Sequence, residues 1–296
     1  MVGGGEGAVS PSAAERRFAE HRGLLHAVAY RVLGSVAEAE DVVQDTWLRW
    51  SRVDVDTVVD AEGYLVRVVT RLAIDRLRSA RVRRESYVGP WLPEPLLTSP
   101  DVAEDAVTAD SVSTAMLLVL ETLSPMERAV FVLNEAFGYS HAEIARVVGR
   151  NDTAVRQIAH RARKAVEARR RRYDTDQATR RQAAERFLAA SAGGDLKALM
   201  EVLAPDVTMV SDGGGFTAAP RKLIRGRDRV ARAIVVLSRR WPDGSRAEVC
   251  QVNGGPGMVV YSGHTPVLAA TVHLLDGAIE EVHVVSNPEK LAGVAL

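Results

Sequence analysis

The sequence contains a single cysteine, Cys250, in 296 residues. An intramolecular disulfide is therefore excluded, and no cysteine-based metal site is offered. Net charge is absent too: 38 Lys and Arg offset 38 Asp and Glu. Any contact with a polyanion must come from local patches rather than from the chain as a whole. No uninterrupted apolar run is long enough to span a bilayer. The first 14 residues are rich in glycine and small residues but lack the basic head and apolar core of a signal peptide. The expectation is a cytoplasmic protein with no membrane partner and a disordered tail over residues 1–14. There is no internal repeat. What is present is 47% apolar residues, enough for real cores, in a length that suits two or three domains.

The most informative stretch runs from Ser140 to residue 172. Ser140 and Glu143 have capping-box spacing, which predicts a short helix. Gly149 is placed to stop it. Asn151 is a good N-cap for a second helix, with Asp152 in its first turn. Val155, Ile158, Ala159, Ala162 and Val166 recur at helical spacing and form its inward face. Arg156, Gln157, His160, Arg161, Arg163 and Lys164 fall outward, all of the strong charges among them positive. A short helix, a tight turn and a basic second helix predict a helix-turn-helix whose second helix enters the DNA major groove.

Three further helices precede it, over about Glu15–Leu33, Val36–Trp50 and Ala61–Glu85. On the second, Val43, Trp47 and Trp50 share a face, while Asp41, Gln44, Asp45 and Leu48 present another. The third carries a basic patch through Arg71, Arg76, Arg78, Arg81, Arg83 and Arg84. Tyr87 to Asp110 is a linker, because Pro90, Pro93 and Pro95 remove donors and bias their neighbours to extended geometry. Trp91, Leu92, Leu96 and Leu97 make it a docking segment rather than a plain spacer, since each large apolar side chain gains roughly 1.5–3 kcal/mol by burial. Helices resume over Val112–Leu123 and after Ser124-Pro125-Met126-Glu127, where an N-cap, a proline at N1 and a capping-box glutamate coincide. Beyond residue 176 come two helices, a strand at Val207–Val210, a loop at Ser211–Gly215, a helix over Arg227–Arg240, and four strands. Asp276-Gly277 marks a hairpin between the last two. Helices followed by an antiparallel sheet predict a separate α+β domain.

These residues resemble a family. Residues 15 to 172 are similar to bacterial extracytoplasmic-function sigma factors, whose two helical domains are σ2 and σ4. The σ2 resemblance lies in Ala29 to Ser35, Ala39 to Asp45 and Leu72 to Arg78; the σ4 resemblance lies in Leu123-Ser124-Pro125, Glu143-Ile144-Ala145 and His160 to Arg163. Residues 177–296 resemble a SnoaL-like domain of the NTF2-like fold. One subgroup of these sigma factors carries such a domain together with a Trp-Leu-Pro-Glu-Pro linker, an Asp-Gly-Gly-Gly loop and an Asn-Pro-Asp-Lys-Leu-like tail. Here those are Trp91 to Pro95, Asp212 to Gly215, and Asn287 to Leu291, with Glu289 where aspartate is expected.

The resemblance implies a multidomain chain: a tail (1–14), σ2 (15–86), a linker (87–110), σ4 (111–172) and the C-terminal domain (177–296). It implies core RNA polymerase and promoter DNA as partners, and no enzyme activity, metal or cofactor. Asp41, Gln44, Asp45 and Trp47 are the expected polymerase contacts. Tyr64, Arg67, Arg71, Arg76 and Arg78 are expected at the −10 element, with Tyr64 either stacking on an unpaired base or serving as a core residue. Arg156, Gln157 and Arg161 are expected at base edges of the −35 element, and His160, Arg163, Lys164 and residues 169–172 beside them, mostly on phosphates. The C-terminal domain is expected to regulate in cis, so that no separate anti-sigma protein is required. Asp212, Gly213, Gly214 and Gly215, with Asn287, Pro288, Glu289, Lys290 and Leu291, would meet Trp91, Leu92, Pro93, Glu94 and Pro95. The alternatives are a small-molecule sensor or a fused enzyme using Asp212, His264, His273 or His283. Gly213 to Gly215 lacks the Lys-Ser/Thr of a phosphate loop.

Overall fold

The computed structural model describes residues 12–84, 86–98, 114–168 and 177–295. Helix α1 (Ala13–Leu33), α2 (Val36–Trp50) and α3 (Ala61–Arg84) form the first domain. The chain is helical earlier than its apolar stripe announces. Ser12 Oγ accepts from Glu15 N, and Glu15 Oε2 accepts from Ser12 N at 2.6 Å, a capping box that sets the start at Ala13. Residues 12–14 therefore belong to the helix and not to a tail; residues 1–11 lie outside the described residues. Gly34 ends α1 in the left-handed conformation, φ 71°.

The second domain contains α4 (Thr114–Leu120), α5 (Pro125–Phe131), a π-helical turn (Val132–Ala136), α6 (His141–Val148) and α7 (Asp152–Glu167). The capping boxes of Ser124 with Glu127 and of Ser140 with Glu143 are both formed. Gly149 takes φ 68° and Asn151 Oδ1 accepts from Ala154 N at 2.7 Å, so the helix-turn-helix forms as its caps predict. Helix α4 is shorter than the forecast Val112–Leu123; residues 112–113 lie outside the described residues. Both helical domains share one core, in which Leu25, Leu33, Leu65 and Val69 join Leu117, Leu133, Ile144 and Val155.

The third domain is α+β: α8 (Gln177–Gly193), α9 (Leu196–Val202), β1 (Leu203–Asp212), β2 (Ile224–Arg225), α10 (Arg227–Ser238), β3 (Arg246–Val252), β4 (Gly255–Ser262), β5 (Thr265–Leu275) and β6 (Ala278–Val285). The strand order is β2-β1-β6-β5-β4-β3. The sheet departs from the antiparallel expectation, because β1 runs parallel to β6. Those strands are distant in sequence, so no turn chemistry records their direction. Strand β2 has two residues, too few for a period of two to register. Asp276 and Gly277 both have positive φ, 50° and 78°, as a tight hairpin requires. Asn253 and Gly254 make a second such pair, φ 51° and 68°, which was not foreseen.

The two faces of the sheet have different tasks. One packs Met258, Val260, Val272 and Val284 against Phe187, Leu199, Val230 and Ile234 of the helices. The other, with Val252, Val259, Tyr261, Ala269 and Val285, packs against Leu92 of the linker and against Leu291 and Val294 of the tail. The sheet thus has a second apolar face, and the linker covers it. The architecture is the one the resemblance implies, two all-α domains followed by an α+β domain.

Candidate functional site

Leu92, Pro93, Glu94 and Pro95 are buried, which is unusual for a connecting segment. Its backbone donors and acceptors must find partners in the protein, and the C-terminal domain supplies them. Asp212, the last residue of β1, is fully buried. Its Oδ2 accepts from Leu92 N at 2.8 Å and from Lys290 Nζ at 2.7 Å. Its Oδ1 accepts from Tyr87 Oη at 2.6 Å and from Gly214 N at 3.1 Å. Four donors thus fill the four lone-pair sites of one carboxylate. Lys290 Nζ also donates to Leu92 O at 2.6 Å. One ion pair therefore grips both polar groups of a single linker peptide position.

Aromatic rings close the site. Lys290 Nζ lies 4.1 Å from the Trp91 ring centroid and 4.8 Å from that of Tyr87, and the Arg84 guanidinium lies 3.5 Å from the Trp91 centroid. Asn287 Nδ2 donates to Tyr87 Oη at 2.8 Å. Burial pulls the Lys290 ammonium down to about 8 against the opposing pull of Asp212, and burial followed by the Asp212 hydrogen bond pushes the Tyr87 phenol up. Gly214, at φ 57°, has Asn287 and Tyr87 where a Cβ would sit, so the loop must be glycine there for conformation and for space. Gly213 is likewise crowded by Thr217 and Ala219, and Gly215 faces Val88. In the tail, Pro288 to Lys290 form a short 3-10 turn capped by the Asn287 side chain, which accepts from Glu289 N at 3.0 Å. The structure brings together the linker, loop and tail residues named from the sequence.

Glu94 points the other way, into the helical domains. Glu94 Oε1 accepts from Ser35 Oγ at 2.6 Å, and Oε2 accepts from Val36 N at 2.6 Å and Ala37 N at 3.3 Å. The linker carboxylate thereby caps the N-terminus of α2. Several partners of the linker were not named from the sequence. Asn253, in the unforeseen turn, accepts at Oδ1 from Tyr30 Oη at 2.9 Å and from Leu96 N at 2.9 Å, and donates through Nδ2 to Thr114 Oγ1 at 3.1 Å. Tyr30 Oη is also within 2.8 Å of Glu94 O. One asparagine thus ties α1, the linker and α4 to the sheet. Its Asn-Gly pair was the available signal; Tyr30 and Tyr87 had none.

The two helical domains are also latched directly. Glu121, after α4, pairs with Arg84 of α3 and with Arg128 of α5, which is 1% exposed. Arg128 Nε donates to Arg31 O at 3.2 Å, and Tyr139 Oη donates to Glu62 Oε1 at 2.9 Å. Arg71 Nε donates to Val147 O at 2.9 Å, at the end of α6. Arg71 is therefore engaged by the helix-turn-helix domain. Arg76 pairs with Asp41 and Glu38 of α2, and Arg78 with Asp75. Tyr64 packs on Trp50, ring centroids 5.5 Å apart, with the Arg67 guanidinium 5.1 Å from its own centroid. Tyr64 is half-buried at the edge of the helical core.

The outward face of α7 is open. Arg156, Gln157, His160, Arg161, Arg163 and Lys164 are all exposed. Arg156 pairs with Asp152, Arg161 with Glu127 and Arg163 with Glu135, exposed pairs of the kind worth about 0–1 kcal/mol. Residues 169–172 lie outside the described residues. On α2, Asp41, Gln44 and Asp45 are exposed beside Leu48, 48% exposed. Trp47 is half-buried against Phe18, ring centroids 5.1 Å apart.

Two of the three candidate histidines share one sheet face: His273 pairs in register with Glu281, and His283 with Thr271, on neighbouring strands. His264 is exposed in the β4–β5 turn, His273 is on β5, and His283 is buried on β6. Burial pushes His283 down to about 4. Among the described residues no group of His, Cys, Asp and Glu could hold a metal ion, and no helix is long and apolar enough to cross a membrane.

Residues 17–83 match the model of sigma-70 region 2, and residues 113–166 match that of sigma-70 region 4. The chain is 38% identical over 293 residues to the ECF RNA polymerase sigma factor SigJ of Mycobacterium tuberculosis, covering 94% of this chain and 93% of that protein. It is 33% identical over 275 residues to the probable ECF RNA polymerase sigma factor SigI of the same species, covering 92% of each. The crystal structure of Mycobacterium tuberculosis SigJ superposes with a TM-score of 0.72 at 35% identity, covering 94% of this chain and 98% of that one. With both helical domains, the linker and the α+β domain accounted for, the chain belongs to the ECF sigma factors of the sigma-70 family of RNA polymerase.

Proposed function

We propose that the C-terminal domain regulates this sigma factor in cis by gripping the linker and holding the two helical domains against each other. The observation that carries the reading is the Asp212–Lys290 pair closed on both polar groups of Leu92. The −10 and −35 elements lie roughly 20 base pairs apart, about 70 Å of duplex at 3.4 Å per step. Two domains that share one core do not reach both at once, so engagement with polymerase separates them. In the closed form Arg71 is engaged by the end of α6, while α7 keeps its basic face free.

In the open form, Asp41, Gln44 and Asp45 with Leu48 contact core polymerase, and Trp47 supports that helix from behind. Tyr64, Arg67, Arg71, Arg76 and Arg78 meet the −10 region, Arg76 on release from Asp41, while Arg156, Gln157 and Arg161 read −35 bases and His160, Arg163 and Lys164 lie along the flanking phosphates. A separate anti-sigma protein is not needed for this control. Of Asp212, His264, His273 and His283, the residues a fused enzyme would draw on, Asp212 is taken up by the clasp and His283 is buried beneath the linker. The sensor reading has less behind it: the recess at the start of α10 is open to solvent rather than enclosed.

The test is transcription from a selected promoter by core polymerase with the full chain, with Asp212→Ala, and with a chain ending at residue 168. Activity that rises in both altered chains supports an inhibitory clasp, and activity that falls in both supports a positioning one. Identical activity in all three overturns the reading.

A further inference from the structure

The chain is neutral overall, yet one segment is not. Residues 217–246 contain nine Lys or Arg and two Asp, a net charge of +7, which the rest of the chain balances. Eight of the nine are arginine. The segment builds β2, α10 and the turn into β3, and from Ile224 onward it belongs to neither the clasp nor the helix-turn-helix.

Helix α10 turns Val230, Ala231 and Ile234 into the core. Arg229, Arg232, Arg239 and Arg240 lie on exposed positions, and Arg225 is exposed just before the helix. From Arg229 to Arg240 the helical rise gives a basic stripe about 16 Å long. Arg232 pairs with Asp228 at 3.0 Å, and Arg240 Nη1 donates to Ala218 O at 3.0 Å. Among the described residues Arg225, Arg229 and Arg239 have no ion-pair partner. At the start of the helix an open recess is lined by Met200, Pro205, Arg225, Arg227, Asp228 and Arg229. Arg227 Nε is buried there with no hydrogen-bond partner, a donor with nothing to donate to.

We infer that this face is a second nucleic-acid surface, one that takes the phosphate backbone of duplex DNA without reading its sequence. Guanidinium groups match phosphate oxygens in bidentate geometry, which accounts for arginine rather than lysine. A membrane surface fits less well. Helices that lie on bilayers insert an apolar face beside the basic one, and the apolar face of α10 is spent on the domain core. The surface does not depend on the clasp and adds to the recognition helix, so its failure leaves the regulatory reading untouched.

The experiment measures binding of the full chain to a random-sequence duplex of about 40 base pairs by fluorescence anisotropy, from about 50 to about 200 mM salt. Each lost phosphate contact removes about 0.9 from the slope of log affinity against log salt. Arg225→Gln, Arg229→Gln and Arg232→Gln together are expected to flatten that slope by about 2 to 3 and to weaken binding roughly 100- to 1000-fold near 0.1 M salt. The same three positions changed to lysine keep the slope, which separates lost charge from lost fold. Arg161→Gln with Arg163→Gln in α7 weakens binding independently, and the two sets add. An unchanged slope in the triple glutamine chain overturns the proposal. So does a slope removed entirely by the α7 changes. Tighter binding to vesicles of phosphatidylcholine and phosphatidylserine than to duplex, lost in the triple chain, overturns it in favour of a lipid surface.

Discussion

Glu94 lies in the linker, yet its carboxylate serves the helix that begins at Val36: Oε2 accepts from Val36 N at 2.6 Å and from Ala37 N at 3.3 Å, while Oε1 accepts from Ser35 Oγ at 2.6 Å. Ser35 Oγ in turn accepts from Glu38 N at 3.1 Å. Two side chains, 59 residues apart, thus share the free donors of one helix end. The same helix presents Asp41, Gln44, Asp45 and Leu48 outward. Linker docking and the ordering of that face are therefore one event. Glu94→Ala removes a charge-assisted cap from a buried site and is expected to lower stability by about 2 kcal/mol. Hydrogen exchange at Val36, Ala37 and Glu38 should accelerate in this variant, while exchange in α7 stays as in the parent chain. Unchanged protection at Val36 would mean that Ser35 alone caps the helix.

Asp212 and Lys290 are both buried, so each makes the other tolerable. Asp212→Ala leaves a buried ammonium without its anion, and Lys290→Met leaves a buried carboxylate without its cation; each is expected to cost about 3 to 5 kcal/mol. The double variant should cost clearly less than the sum, because neither charge is then stranded. Denaturant unfolding of the four chains measures the coupling. Additive losses would show that the two residues act separately and that the clasp is not a unit.

The α7 arginines proposed to read bases are held only by single surface ion pairs, Arg156 with Asp152 and Arg161 with Glu127. Those pairs are weak enough for DNA to displace. Arg156→Ala and Arg161→Ala should each reduce promoter affinity by roughly 1–3 kcal/mol and relax the base preference at one position. Arg163→Ala should instead weaken all sequences alike and lower the salt slope by about 0.9. Promoter selection repeated with each variant distinguishes the two classes, and unaltered preference in both base-edge variants refutes the assignment of α7.

Much of this was legible because the signals are local. The capping boxes at Ser124 and Ser140, Gly149, and Asn151 specify the helix-turn-helix within a few residues of themselves. The apolar, proline-rich linker announced that it docks, since Trp91 and Leu92 have no reason to face water. What the sequence did not record is pairing at a distance. The parallel register of β1 with β6 has no connecting turn to mark it. The side-chain bonds of Asn253 to Tyr30 and Leu96 exist only because three domains converge there. Arg71 and Arg76 read as DNA contacts from the sequence, yet bond to Val147 O and to Asp41, because a positive charge on a helix does not reveal which surface closes over it. Trp91 was legible as sticky but not as the ring between two cations.

That position of Trp91 can be tested by conservative change. Its ring meets Arg84 on one side and Lys290 on the other, at 3.5 and 4.1 Å from the centroid. Trp91→Leu keeps apolar bulk but loses the aromatic face, and should cost about 1 to 2 kcal/mol for two partly desolvated contacts. Trp91→Phe should recover part of that loss. Protease cleavage between residues 87 and 98 reports the docking: leucine is expected to raise it and phenylalanine to raise it less. Equal cleavage in all three chains would reduce Trp91 to simple packing.

His283 makes linker docking sensitive to acid. It is buried on the sheet face that carries the linker, in a small void shared with Pro93, Pro95, Thr114, Asn253 and Thr271. The nearest acidic group is Glu281, whose Oε2 is 3.7 Å from Nε2, and burial holds the imidazole at about 4 against an ordinary value of 6.5. Because the folded pKa is depressed, the unfolded chain binds the extra proton first as pH falls. The contribution of His283 is fully present above pH 6.5 and is lost progressively as pH drops towards 4, by up to about 3 kcal/mol in all. Comparing thermal unfolding of the parent chain with His283→Gln across that window removes the titration of every other carboxyl and histidine from the difference. The parent should lose stability more steeply than the variant between pH 6.5 and 4, and its linker should become cleavable first. Parallel curves would mean that the imidazole keeps the same proton in the folded and unfolded chain, and that acid releases the linker through some other group or not at all.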